Sequence, residues 1–248
     1  MEEPERAQTE AGGVIAFVAG STGYTGREVV RALRARGIET VAHVRPDSAR
    51  LADWRARFES LGARIDTTPW EPAAMAATLA ALGPDLVFAL LGTTRARTRR
   101  ARTRGGRDEG YEAVDYGLTM LLLRAAENTG SRPRFVYLSS AGVREGSGNA
   151  YLAARARVEG ALREGALRYT VARPSFITGP DRDEFRAGER VLSRLVDGVL
   201  AVAALLGGAR LRARYRSTTN VALAESLVRL ALDPALAGKV VESEGLRG

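Results

Sequence analysis

The sequence holds no cysteine, one histidine (His43) and one lysine (Lys239) in 248 residues. Without cysteine there is no disulfide framework, no thiolate zinc site and no cysteine nucleophile. A lone histidine argues against a Ser-His-Asp triad and against a histidine-rich centre, so no metal site is expected. The scarcity of lysine leaves arginine as 36 of the 37 basic residues. That skew reads as coding bias, and no arginine is taken as chosen over lysine. The longest nearly apolar run, 198–208, falls well short of the ~20 residues of a membrane-spanning helix. The first thirteen residues carry four Glu against one Arg and resemble neither a signal nor a transit peptide. They are expected to form a disordered acidic tail on a cytoplasmic protein with no membrane partner.

What is present suits a packed domain, since 45% of residues are hydrophobic. The net charge of +8 is concentrated, because residues 95–107 supply seven Arg and no acid. Short apolar runs at 14–20, 39–44, 63–67, 85–92, 134–140 and 168–174 read as strands. Longer helical patterns fall at 27–37, 49–62, 72–82, 111–130 and 151–166. Strict alternation of the two predicts an α/β fold, a doubly wound parallel sheet with helices on both faces. Residues 14–248 read as one domain. The segment after Pro174, mainly 175–218, reads as a small C-terminal substrate-side region. It includes a helical pattern at 188–206, and a further helix at 219–232 begins on a Thr219 cap.

The turn Gly20-Ser-Thr-Gly23-Tyr-Thr-Gly26 joins the first predicted strand to the first predicted helix. Glycines there permit a tight turn and let backbone N–H groups meet a pyrophosphate at the helix N-terminus. Gly20, Thr22, Gly23, Tyr24, Thr25 and Gly26 are therefore candidate cofactor-binding residues. A plain strand-to-helix turn is the competing reading. The second strand ends near Arg45, nineteen residues after Gly26, where NAD sites usually carry an acid. A guanidinium there can pair with a 2′-phosphate, which favours NADP(H) over NAD(H). The alternative is a solvated arginine. His43, two residues earlier, reads as a packed core residue.

Tyr151 and Arg155 lie four apart on a predicted helix and so share one face. With 36 Arg and seven Tyr this spacing arises about once by chance. Tyr169 and Arg173 form a second such pair, on a strand. Context separates the two, because Tyr151 follows a strand that ends in Ser139 and Ser140 and a loose loop. A tyrosine donating a proton beside a cation, with a serine hydroxyl on the carbonyl, is the chemistry of hydride transfer. A tyrosine that anchors its helix to the sheet is the rival reading.

Together these segments resemble the short-chain dehydrogenase/reductase superfamily, in its atypical NmrA-like and Tat-interacting-protein-like branch, over residues 14–234. VAGSTGYTG is similar to that family's cofactor loop. LLGTTR (90–95) resembles the fourth-strand motif beside the nicotinamide ribose, which implicates Leu91, Gly92 and Thr93. FVYLSSAG carries the catalytic serine position, Ser140, and YLAAR matches the Tyr-x-x-x-Lys element. ARPSFITG (172–179) resembles the segment that closes over the carboxamide, with Pro174 and Ser175. The resemblance implies a Rossmann-like NAD(P) fold in which Tyr151, Ser140 and Arg155 are catalytic and a carbonyl-bearing small molecule is the substrate. The chain departs from the pattern at Arg155, where the family has Lys, and at Asp115, where many relatives carry Asn.

The arginine stretch 95–107 follows this fourth strand. It reads as a solvated insertion, as a lid that attracts an anionic substrate or cofactor phosphate, or, last, as a nucleic-acid contact. No recognised nucleic-acid motif or interleaved aromatic accompanies it. An NADP(H)-dependent reductase is the favoured expectation. A regulatory protein that binds NADP(H) without turnover is the alternative. The sequence does not specify an oligomeric state.

Overall fold

Runs of Val, Ile, Phe and Ala form the strands, where branched and aromatic side chains pack on a pleated surface. The computed structural model describes residues 13–93, 110–175, 177–178 and 218–247. Its main strands are β1 (Ile15–Ala19), β2 (Glu39–His43), β3 (Arg64–Asp66), β4 (Leu86–Ala89), β5 (Arg134–Leu138) and β6 (Tyr169–Arg173). A two-residue ladder pairs β7 (Ile177–Thr178) with β8 (Thr218–Thr219), and β9 (Lys239–Glu242) follows. The seven strands outside that ladder form one parallel sheet in the order β3-β2-β1-β4-β5-β6-β9. The order reverses beside β1, which lies between β2 and β4. In open α/β sheets ligands bind at the carboxyl ends of strands at such a point.

The helices are α1 (Gly26–Arg34), α2 (Leu51–Glu59), α3 (Pro72–Leu82), α4 (Thr119–Glu127), α5 (Ala150–Glu164) and α6 (Asn220–Leu232). A π-helical stretch, Tyr111–Leu118, leads directly into α4. Strand alternation divides the core. Ala16 and Val18 pack with Val29 and Leu33 of α1, Trp54 and Phe58 of α2, and Leu223 and Leu227 of α6. Phe17 and Ala19 face Met75 and Leu79 of α3, Leu122 of α4, and Val158 and Leu162 of α5. This is the doubly wound α/β fold, Rossmann-like, that the sequence predicts. Among the described residues no helix is long and apolar enough to cross a membrane.

Several boundaries differ from the sequence reading. The strand expected over 85–92 ends at Ala89, and the one over 134–140 ends at Leu138, so the site residues that follow are loop. The pair β7–β8 and the edge strand β9 were not anticipated. The π-helical turn replaces the first part of a helix expected to be regular. The acidic start, the 95–107 stretch and the helical pattern at 188–206 lie outside the described residues.

His43 is core, as expected. Its Nε2–H donates to the Thr68 carbonyl (2.8 Å), and the ring meets Trp70 edge-on at 4.7 Å. Burial pushes its pKa below the ordinary 6.5, against the opposing pull of the Thr68 carbonyl and Asp66. The unfolded chain thus takes up this proton more readily than the folded one. Stability from neutral His43 is present in full above about pH 6.5 and is lost as pH falls through the folded value. Urea unfolding at pH 7.5 and 5.5 should show a drop that His43→Gln reduces. An equal drop in the variant would mean that other groups carry the effect.

Candidate active site and cofactor site

The first strand turns into α1 with almost no space. Gly20 has φ +82°, a conformation that suits glycine, and a Cβ there would lie 2.6 Å from the Leu90 carbonyl oxygen. At Gly26 a Cβ would lie 2.1 Å from the Gly20 carbonyl oxygen. Gly23 N–H donates back to Gly20 O (3.0 Å), and Ser21 Oγ donates to the His43 carbonyl (2.6 Å). The turn is thereby tied to the ends of β2 and β4, and the N-terminus of α1 opens beside both. Thr25 is buried, Thr22 and Tyr24 are half-buried, and Gly23 is exposed.

Beyond β4 a second cluster is built around a carboxylate. Asp115, on the π-helical turn, is only 1% exposed. Its Oδ2 accepts from the Thr93 backbone N–H (3.0 Å), and its Oδ1 accepts from Arg155 Nη2 (2.8 Å). Burial pushes the Asp115 carboxyl above its ordinary pKa, and the Arg155 charge and the Thr93 N–H oppose that rise. Arg155 on α5 is itself 5% exposed, and its Nη1 donates to the Leu138 carbonyl. Burial works against its charge, but Tyr137, Tyr151 and Asp115 together raise its pKa above the usual value. The guanidinium lies 4.6 Å from the Tyr151 ring centroid, and Tyr111 meets that ring edge-on at 5.3 Å. Tyr151 sits at the start of α5 because Asn149 caps the helix, its Oδ1 accepting from the Tyr151 N–H at 3.0 Å. Gly92 passes so close that a Cβ would meet Arg155 Nη2 at 3.2 Å.

The two serines after β5 part company. Ser139 Oγ donates to Glu159 (2.6 Å), a buried carboxylate that also accepts from Arg173 Nη2 (2.6 Å). Arg173 continues to Glu242 on β9 (2.9 Å), so the rival Tyr169–Arg173 spacing belongs to a structural ion network. Ser140 stays half-buried, with its hydroxyl making only a long bond to the Ala141 carbonyl (3.3 Å). The Ala141 N–H donates to the Pro174 carbonyl (2.8 Å), which brings the ends of β5 and β6 together; Ser175 follows, half-buried.

A family model described as NAD(P)H-binding matches residues 20–194. The chain belongs to the NAD(P)H-binding family. Solved structures with the same fold include a short-chain dehydrogenase/reductase from Serratia marcescens BCRC 10948. It is 15% identical, with a TM-score of 0.65 over 95% of this chain and 98% of that one. Acetoin dehydrogenase from Enterobacter cloacae is 17% identical, with a TM-score of 0.62 over 94% of each chain. UDP-glucose 4-epimerase from Thermotoga maritima is 18% identical, with a TM-score of 0.59 over 89% of this chain and 74% of that one. No curated protein sequence matches the chain.

The residues present fit the dinucleotide of an NAD(P)H-binding protein. The glycine turn is a cradle that side chains would fill. Two buried polar atoms in the Asp115 cluster, Thr93 Oγ1 and Arg155 Nε, have no hydrogen-bond partner among the described residues. Arg45 stands at the end of β2, its side chain 41% exposed and its Nε 3.7 Å from Asp47 Oδ1. The sequence marks Asp115 only as a departure from the family pattern and gives no sign of its bridging role. A buried acid facing a buried arginine across forty positions leaves no local spacing signal. Most of the substrate-side region, including 179–217, lies outside the described residues.

Replacing Arg155 with Met strands the Asp115 carboxylate in the interior. Breaking a buried pair from one side should cost about 3–5 kcal/mol of unfolding free energy. Asp115→Asn/Arg155→Met should recover much of the loss in urea titrations. A double variant as unstable as the sum of the singles would show that the two charges are not coupled.

Proposed function

We propose that this protein is an NADP(H)-dependent oxidoreductase of the atypical short-chain type that reduces a carbonyl group on a small molecule. The observation that carries the reading is the Tyr151 ring resting on the buried Arg155 guanidinium, at the carboxyl edge of β4 and β5. Placed at the sheet edge that also holds the glycine turn, this pair suits proton delivery to a bound carbonyl.

When bound, the nicotinamide supplies a hydride to the carbonyl carbon. Tyr151 donates its phenolic proton to the carbonyl oxygen, and Arg155 stabilises the tyrosinate left behind. Ser140 exchanges its long bond to Ala141 for one to the same oxygen and orients it. Arg155 Nε, which has no acceptor among the described residues, is a donor that a ribose hydroxyl would meet. The glycine turn from Gly20 to Gly26 would hold the pyrophosphate at the α1 N-terminus. Arg45, with its side chain 41% exposed, would pair with a 2′-phosphate. Leu91, Gly92 and Thr93 would line the ribose, and Pro174 and Ser175 the carboxamide.

Arg45→Ala should weaken NADPH binding about 10- to 100-fold, the worth of a charge-assisted bond, and leave NADH binding unchanged. Calorimetry with both cofactors decides this, and tighter NADH binding by the unaltered protein would reverse the assignment. Tyr151→Phe should lower kcat on a carbonyl panel ~10²- to 10⁴-fold while NADPH still binds. Undiminished turnover in that variant would remove Tyr151 from the chemistry.

A further inference from the structure

The glycine turn is held from a place far along the chain. Asn220, the first residue of α6, is 6% exposed, and its side-chain Nδ2 donates to the Tyr24 carbonyl at 3.1 Å. Tyr24 lies inside the turn, between Gly23 and Gly26. The main-chain ladder of α1 passes over this carbonyl, because the Glu28 N–H turns to Thr25 O (3.1 Å) instead. A trans peptide points its carbonyl and the following N–H in opposite directions. Holding Tyr24 O on Asn220 therefore turns the Thr25 N–H away from α6.

The anchor is firm on its own side. Leu223, Leu227 and Leu230 of α6 are fully buried, and α6 shares one core with Val29 and Leu33 of α1. Asn220 also follows directly on β8, which pairs with β7 through Ile177 and Thr218. The β7–β8 pair thus leads directly into the residue that holds the glycine turn.

We propose that Asn220 is a positioning residue for the pyrophosphate-binding turn, fixing the Tyr24–Thr25 peptide and linking it to the β7–β8 segment. The proposal rests on the cofactor reading above for its functional consequence. Cofactor affinity then depends on a side chain 196 positions along the chain from the turn it holds.

The test compares two kinds of lesion at one helix end. Asn220→Asp keeps the shape and removes the donor, and Asn220→Ala removes both. Thr219→Ala deletes the cap of the same helix, whose Oγ1 accepts from the Ala222 N–H at 3.1 Å, and leaves Tyr24 alone. Fluorescence titration should show both Asn220 variants binding NADPH about 3- to 10-fold more weakly, and Thr219→Ala binding it normally. In the cofactor-free protein, amide exchange at residues 25–28 should accelerate in the Asn220 variants only. Equal loss of affinity in Thr219→Ala, or unchanged exchange at 25–28 in both Asn220 variants, would overturn the proposal. Should the unaltered protein bind neither NADPH nor NADH, the cofactor reading fails, and the exchange data still decide whether Asn220 holds the turn.

Discussion

The closeness of Gly26 to the Gly20 carbonyl is the constraint from which the rest of this site follows. No side chain fits between β1 and α1 there, so the helix starts immediately beneath the strand it leaves. That places the α1 N-terminus, the positive end of the helix dipole, at the carboxyl edge of the sheet, where it favours an anion. The same turn is wedged against Leu90 at the end of β4 and bonded to His43 at the end of β2. Three strand ends and one helix start are thus set by two missing side chains.

The other half of the site is organised by charges that the core encloses. Asp115 joins the loop after β4 to α5 through one carboxylate, using one oxygen for the Thr93 N–H and the other for Arg155. Glu159, one turn further along α5, gathers Ser139 and Arg173 on the side toward β6 and β9. A buried ionic group is tolerated only when its partners are in place, so each cluster fixes the geometry of its neighbours. Of two adjacent serines, one is thereby committed to the Glu159 network and the other keeps a loosely held hydroxyl.

Much of this was legible in the sequence, because strand and helix periods differ and the parallel sheet hides its strands in apolar runs. The glycine turn, Tyr151 at the start of α5 and the Thr219 cap all announce themselves over a few residues. What was not legible depends on distant partners. β9 has the sequence Lys-Val-Val-Glu, too short and too polar at its ends to stand out, and it becomes a strand only by pairing with β6. Glu159 sits among charged residues on α5 and looks solvated until Arg173 and Ser139 arrive from two strands. The π-helical form of Tyr111–Leu118 has no composition of its own, since the residues that line it would serve an ordinary helix equally well.

The cover of α1 by α6 has a consequence for how the chain comes to be folded. The contact between Asn220 and Tyr24 spans 196 positions, and the buried Arg134 reaches the carbonyls of Ala231 and Asp233. During synthesis the earliest helix is finished long before the helix that seals it emerges from the ribosome. Until then Val29, Val30 and Leu33 lack part of their apolar surroundings. Non-local closure of this kind is slow and leaves sticky surface open to other chains. The packing around the first helix is therefore completed only by the last long helix of the fold.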